Sequence, residues 1–265
     1  MMFRRLLGGM LLALFVIASA VAESWRENAE LGSVFKAAGM TGTFVLYDLD
    51  ADTYTVFDRE RAQTRYVPAS TFKIPNSLIG LQVGAVADVD EVLPYGGAPQ
   101  PFKDWEQDLP LREAIRVSSV PVYQELARRI GRPRMQTWVE RLGYGNREIG
   151  SVVDRFWLDG PLRISALEQV QFLGRLVRGE LPVRDDVAAA VGEITLLERT
   201  DAYVLHGKTG LVFSTEPGLG WWVGWVEREG RYYTFALNID MPNWKQDLGK
   251  RVEIGRHCLE LLGLL

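Results

Sequence analysis

Apolar and polar residues alternate from Thr43 to Asp48 and again from Thr53 to Asp58, on either side of Asp50-Ala51-Asp52. Period-two alternation fits a strand with one face buried, and the acidic residues between the two runs predict a β-hairpin. From Ser70 the period lengthens. Apolar residues recur at helical spacing as far as Val83, and Gly84 supplies a left-handed stop. A loop rich in Gly and Pro covers Leu93 to Pro110. Helical patterns follow at Leu111 to Val117, Pro121 to Ile130 and Pro133 to Leu142, with Pro121 and Pro133 suited to first turns and Gly131 and Gly143 to stops. Ser165-Ala166-Leu167-Glu168 predicts a capping box, opening a helix that closes near Gly179. One more helix is expected over Asp185 to Leu197. Strands return at Tyr203 to His206, Trp221 to Glu227 and Arg231 to Ile239, the last two joined through Glu229-Gly230, and a helix runs from Asp247 to Leu262.

Strands therefore lie at both ends of the chain and helices fill its middle. The expected fold class is α/β (α+β): an antiparallel sheet flanked by helices, built from both chain ends, with an all-helical domain inserted. Residues 23–62 and 200–265 would form the sheet domain, and 63–199 the insertion. The Trp221-Trp222 pair is expected in the core on this strand pattern, an interface being the alternative.

Ahead of the first strand, Arg4 and Arg5 precede an apolar run from Leu6 to Ile17, and Ala20-Val21-Ala22 has the small-x-small form of a signal-peptidase site. Residues 1–22 read as a cleavable signal peptide for export. The run falls short of the roughly 20 residues of a membrane span, an uncleaved anchor being the alternative. The formal charge of −4 comes from mixed charges without a basic block, which argues against a nucleic-acid partner. The single cysteine, Cys258, has no partner for an internal disulfide and reads as a small apolar residue of the last helix.

What is missing narrows the chemistry. The chain has two histidines, His206 and His257, and no His-Glu-x-x-His or Cys/His cluster, so no metal site is expected. Gly-x-Ser-x-Gly and P-loop motifs are absent. Ser70-Thr71-Phe72-Lys73 remains. Residues three apart share a helix face, so Lys73 reaches the Ser70 hydroxyl, and apolar surroundings favour the neutral amine that takes its proton. A serine at a helix start also meets free N–H groups that suit a developing oxyanion. The spacing alone is weak, since a chain of this length carries roughly one Ser-x-x-Lys by chance. Ser33-Val34-Phe35-Lys36 is such a copy, placed in an amphipathic stretch and read as structural.

Other motifs keep Ser70 and Lys73 company. Lys208-Thr209-Gly210 ends a predicted strand, where a cation, a hydroxyl and a glycine suit docking of a carboxylate; an exposed strand end with a turn glycine is the plainer alternative. Ser118-Ser119-Val120 sits between two helices, as a hydroxyl entering a cleft or simply an N-cap before Pro121. Tyr144-Gly145-Asn146 is also open to reading as a tight turn. In this order, with Pro68-Ala69, Phe156-Trp157-Leu158 and Asn238-Ile239-Asp240-Met241-Pro242, the elements resemble the penicillin-recognising serine enzymes, specifically the class D (oxacillinase-type) β-lactamases. Class A would place Ser-Asp-Asn where this chain has Ser118-Ser119-Val120. Glu168 is explained by the capping box.

The resemblance implies a β-lactamase/transpeptidase-like fold, β-lactam antibiotics as substrates, a periplasmic location and antibiotic resistance. It implies Ser70 as nucleophile, with Lys73 carboxylated by CO2 (N6-carboxylysine) as general base and no other cofactor. Phe72, Val120, Trp157 and Leu158 would keep the carbamate dry, the Trp157 indole N–H donating to it. Ser118 and Lys208 would relay a proton to the leaving nitrogen, and the Ser70 and Leu211 N–H groups would hold the oxyanion. Tyr144, Thr209, Gly210, Leu211 and Arg251 would bind substrate, Arg251 as the carboxylate-binding arginine. Two rivals share parts of this pattern. A peptidoglycan DD-peptidase or transpeptidase releases penicillin slowly. A β-lactam sensor domain acylates without turnover, but would follow several spanning helices. Substrate spectrum and oligomeric state are not legible.

Overall fold

The computed structural model describes residues 24–265; the expected signal peptide, 1–22, lies outside the described residues. Strand β1 (Ser24–Glu27) and helix α1 (Ala29–Ala38) precede the expected hairpin, β2 (Gly42–Asp48) and β3 (Thr53–Phe57). Helix α2 (Arg59–Gln63) leads to a 3-10 turn, Ala69–Phe72, which runs into α3 (Lys73–Gln82). The Gly/Pro loop is pinched by a short pair, β4 (Val92–Leu93) and β5 (Leu109–Pro110). Then come α4 (Leu111–Arg116), α5 (Val120–Ile130), α6 (Arg132–Leu142), α7 (Ala166–Val177) and α8 (Asp185–Ile194). Strands β6 (Leu196–Arg199), β7 (Val204–Val212), β8 (Gly218–Arg228) and β9 (Arg231–Met241) complete the sheet, followed by α9 (Trp244–Asp247) and α10 (Lys250–Leu261).

The seven strands run in the order β1-β3-β2-β9-β8-β7-β6, so the chain ends meet where β2 pairs with β9. Only β1 and β3 run parallel; the other pairs in this sheet are antiparallel. Alternation sends adjacent side chains to opposite faces. Trp222, Phe44 and Leu237 face α1 and α10, packing with Phe35, Ile254 and Cys258. Trp221, Val45 and Ala236 face the other way and join the helical segment, including Val170 and Leu173 of α7, in one continuous core. Both tryptophans are core residues, one on each side. Among the described residues no helix is long and apolar enough to cross a membrane.

Several boundaries moved from their expected places. The helix expected from Ser70 becomes regular only at Lys73, because Ala69 adopts a left-handed φ of 48° and the chain enters through a tighter turn. α8 stops at Ile194 instead of Leu197, and Leu196–Arg199 pairs with β7. The terminal helix is two pieces broken at Leu248 and Gly249. β7 extends to Val212, which puts Lys208-Thr209-Gly210 inside a strand and not at its end; its glycines had hidden the alternation. The extra Ser-x-x-Lys lies on α1, whose Leu31 and Phe35 are buried while Ser33 and Lys36 face solvent.

Cys258 is buried on α10, and burial pushes its thiol up to about 12. A disulfide-exchange thiol reagent is therefore expected to leave the folded protein unmodified at neutral pH and to titrate one thiol per chain after denaturation. Rapid native labelling would contradict this placement.

Candidate active site

The turn that carries Ser70 is pinned from both ends. Thr71 donates its amide (3.2 Å) and its hydroxyl (2.7 Å) to the Pro68 carbonyl, and the Trp221 indole N–H donates to Val67 at 2.9 Å. One turn later, the fully buried Lys73 donates from Nζ to Ser70 Oγ at 2.8 Å. Burial holds the Lys73 amine well below the usual lysine range, and the charge of Lys208 pushes the same way. A neutral amine against a serine hydroxyl is the nucleophile–base pair that acyl transfer requires.

Across the cleft, Lys208 donates to Ser118 Oγ at 3.0 Å and to the Thr209 carbonyl at 2.9 Å. Ser118 reaches it from a left-handed φ of 58° between α4 and α5. The capping position ahead of α5 belongs to Ser119, which makes no side-chain cap bond, so the N-cap alternative for Ser118 falls away. Burial, helped by Arg251, lowers Lys208 to about 7, where a group exchanges protons readily at neutral pH.

Gly210 permits β7 to touch the serine turn: a Cβ there would lie 3.0 Å from the Pro68 carbonyl oxygen and 3.2 Å from Thr71 Cγ2. Gly210→Ala should cost about 1–3 kcal/mol as an overpacked contact, seen as a melting temperature lower by several degrees. It should also reduce kcat/KM, because the turn must shift. An unchanged melting curve would deny the close approach. Arg251 enters from α10 and donates to the Gly210 (2.6 Å) and Leu248 (3.0 Å) carbonyls. Burial lowers its guanidinium to about 10, leaving a cation at neutral pH on the cleft wall beside Thr209 and Leu211.

Ser70, Ser118, Thr209, Gly210, Leu211 and Arg251 line one cleft of about 470 Å³ together with Val120, Leu158, Phe102, Trp105 and Phe213, while Lys73 and Lys208 are buried against Ser70 and Ser118. Phe72 is fully buried and stacks on Trp157 at 5.5 Å between centroids. The Trp157 indole nitrogen is itself buried with no hydrogen-bond partner, a donor left open for an acceptor.

Tyr144 corrects an expectation. It is fully buried, does not line the cleft, and packs edge-on against Phe72 at 5.6 Å. Its neighbour Gly145 explains why: a Cβ there would lie 2.1 Å from the Arg163 carbonyl oxygen, so the turn is pressed into the interior. Tyr144 supports the site from beneath and has no surface to offer a substrate.

The same layer holds a residue that the sequence reading missed. Gln169 is buried on α7, donates to Thr71 Oγ1 at 2.9 Å and accepts from the Tyr144 hydroxyl at 3.3 Å. A polar residue on the apolar face of a helix was its available signal. Glu168 caps α7, as the capping box implied, and also pairs with Arg65.

A family model described as the penicillin-binding protein transpeptidase domain matches residues 42–260. Beta-lactamase OXA-5 of Pseudomonas aeruginosa is 43% identical over 96% of both chains. Beta-lactamase OXA-48 of Klebsiella pneumoniae is 40% identical over 94% of this chain and 95% of that one. The crystal structure of FUS-1 (OXA-85), a class D β-lactamase from Fusobacterium nucleatum subsp. polymorphum, superposes with a TM-score of 0.87 at 43% identity, covering 91% of this chain and all of that one. Likeness of that length in both sequence and fold identifies one family: the chain belongs to the class D β-lactamases.

Proposed function

We propose that the protein hydrolyses the ring amide of β-lactam antibiotics through an acyl-enzyme on Ser70, and so confers resistance. The observation that carries this reading is the buried Lys73 amine, 2.8 Å from the Ser70 hydroxyl. In the first step the Lys73 side chain takes the Ser70 proton while Oγ attacks the lactam carbonyl, and the Ser70 and Leu211 N–H groups receive the developing oxyanion. Lys208 and Ser118 pass a proton to the ring nitrogen as the C–N bond breaks. Thr209 and Arg251 orient the antibiotic's carboxylate. In the second step the Lys73 side chain, having passed the Ser70 proton on through that relay, takes a proton from the water that attacks the Ser70 ester and returns it to Ser70 Oγ as the C–Oγ bond breaks.

The residues around Lys73 fit a carbamate formed from CO2. The amine is dry, Val120 and Leu158 limit water at the cleft wall, and the unpartnered Trp157 N–H awaits an oxygen. When present, this group supplies a carboxylate-like base on the lysine.

Purified protein mixed with a chromogenic cephalosporin tests the reading. Sustained turnover supports it; a stoichiometric burst followed by arrest would assign the chain to slow-releasing peptidases or sensors. Export belongs to the same proposal. A periplasmic product beginning at Glu23 is the expected result of N-terminal sequencing, and a product retaining Arg4 and Arg5 would overturn it.

A further inference from the structure

α5 turns an aromatic ring onto the catalytic lysine: Lys73 Nζ lies over Tyr123, 5.1 Å from the ring centroid. Two contacts hold that ring. Its hydroxyl shares a 2.8 Å hydrogen bond with Ser77 Oγ, and its main-chain carbonyl accepts from Asn76 Nδ2 at 3.2 Å. All three residues are fully buried, and none lines the cleft. The polar atoms of Tyr123 thus serve to fix the ring, leaving its face for Lys73.

An aromatic face is electrically negative, so it attracts an ammonium and repels an anion. Burial and the charge of Lys208 act in the opposite sense, against the ammonium. Lys208 on β7 is the charged group whose field reaches Lys73. The other charges on α5, α6 and α8, the helices packed against α3, are engaged elsewhere or exposed: Glu125 with Arg128 and Arg129, Glu140 with Gln136, Arg132 and Arg134 on main-chain carbonyls, Arg141 over Trp138, Asp186 with Arg184, Glu193 with Arg112, and Asp185 exposed.

We propose that Tyr123 is a positioning residue that brakes carboxylation of Lys73, its fixed ring face setting how acidic the medium becomes before the carbamate is lost. The inference rests on the carbamate reading given above. Starting from the ammonium, the nitrogen gives up a proton and bonds to the carbon of CO2. One C=O π bond breaks, its electrons pass to oxygen, and a second proton leaves nitrogen. Stabilising the ammonium therefore raises the pH at which half the sites are carboxylated.

Graded fluorination isolates the ring face from its shape. Tyr123→Phe serves as host, and phenylalanines bearing one, two or three ring fluorines are placed at the same position. Occupancy is read as the 13C carbamate resonance in labelled bicarbonate across a pH series. The midpoint is expected to fall stepwise with fluorine number, by about half to one pH unit in all. A Ser77→Ala, Tyr123→Phe host, which leaves neither hydroxyl unpaired, carries the same series where the single change lowers the melting temperature. A midpoint that ignores fluorination, with the carbamate signal present, overturns the brake alone. Absence of that signal in the unsubstituted protein overturns the carbamate reading and the brake with it.

Discussion

Lys73→Met is expected to lower steady-state turnover of a chromogenic cephalosporin by at least about 10²–10⁴-fold, the range for loss of a general base, while raising the melting temperature. Both effects follow from the burial of Lys73 against Ser70. A thioether of similar length fills the same space without a charge to desolvate, so the variant keeps the core and loses the base. The two states of Lys73 also fix how the gain depends on pH. Its folded pKa lies well below the ordinary lysine value of 10.5, so between the two the unfolded chain binds more protons and the parent protein gains stability as pH rises. The Met variant lacks that contribution, so its advantage should be largest below the lowered pKa and shrink toward pH 10.5. Calorimetry across that range, beside initial rates, checks both parts. Near-normal hydrolysis would remove Lys73 from the role of base.

The second large effect lies on the acid side. Below the lowered pKa of Lys73 the amine becomes an ammonium, which neither accepts the Ser70 proton nor combines with CO2. Activity should fall about tenfold or more per pH unit there, since each unit of protonation removes that share of competent sites. Added bicarbonate should restore much of the loss at constant pH by mass action. Lys208 is lowered to about 7 and its protonation is indifferent to CO2, so the bicarbonate response separates the two lysines. An acid limb unmoved by bicarbonate would exclude the carbamate and leave the amine as the base.

The hairpin, the capping box and the arrangement of strands at both chain ends were legible because each has a local cause: alternation, a side-chain cap, a glycine stop. The second half of β7 was not, because Gly207 and Gly210 interrupt its alternation, and those glycines are required by neighbours that a sequence does not display. Ser70, Lys73, Ser118 and Lys208 were found as motif members, and the fold brings Ser70 and Ser118 to one cleft with each lysine hydrogen-bonded to its serine. Tyr144 was misplaced since a tyrosine in a turn reads as exposed, whereas the turn folds inward against Arg163. Gln169 and Tyr123 were missed for a related reason. Their importance lies in what they touch from behind, Thr71 for one and Lys73 for the other, and neither contact leaves a periodic trace.

The pairing of β2 with β9, Thr43 opposite Asn238, also bears on how the protein comes into being. As the chain lengthens from its first residue, the hairpin forms early but presents a bare edge of amides and carbonyls until the last strand arrives. Closing so long a loop is slow and sets a high contact order. Throughout that interval the unpaired edge is open to other chains. Yield during production should therefore depend on crowding of nascent chains and on cooling, more than on the final stability of the folded enzyme.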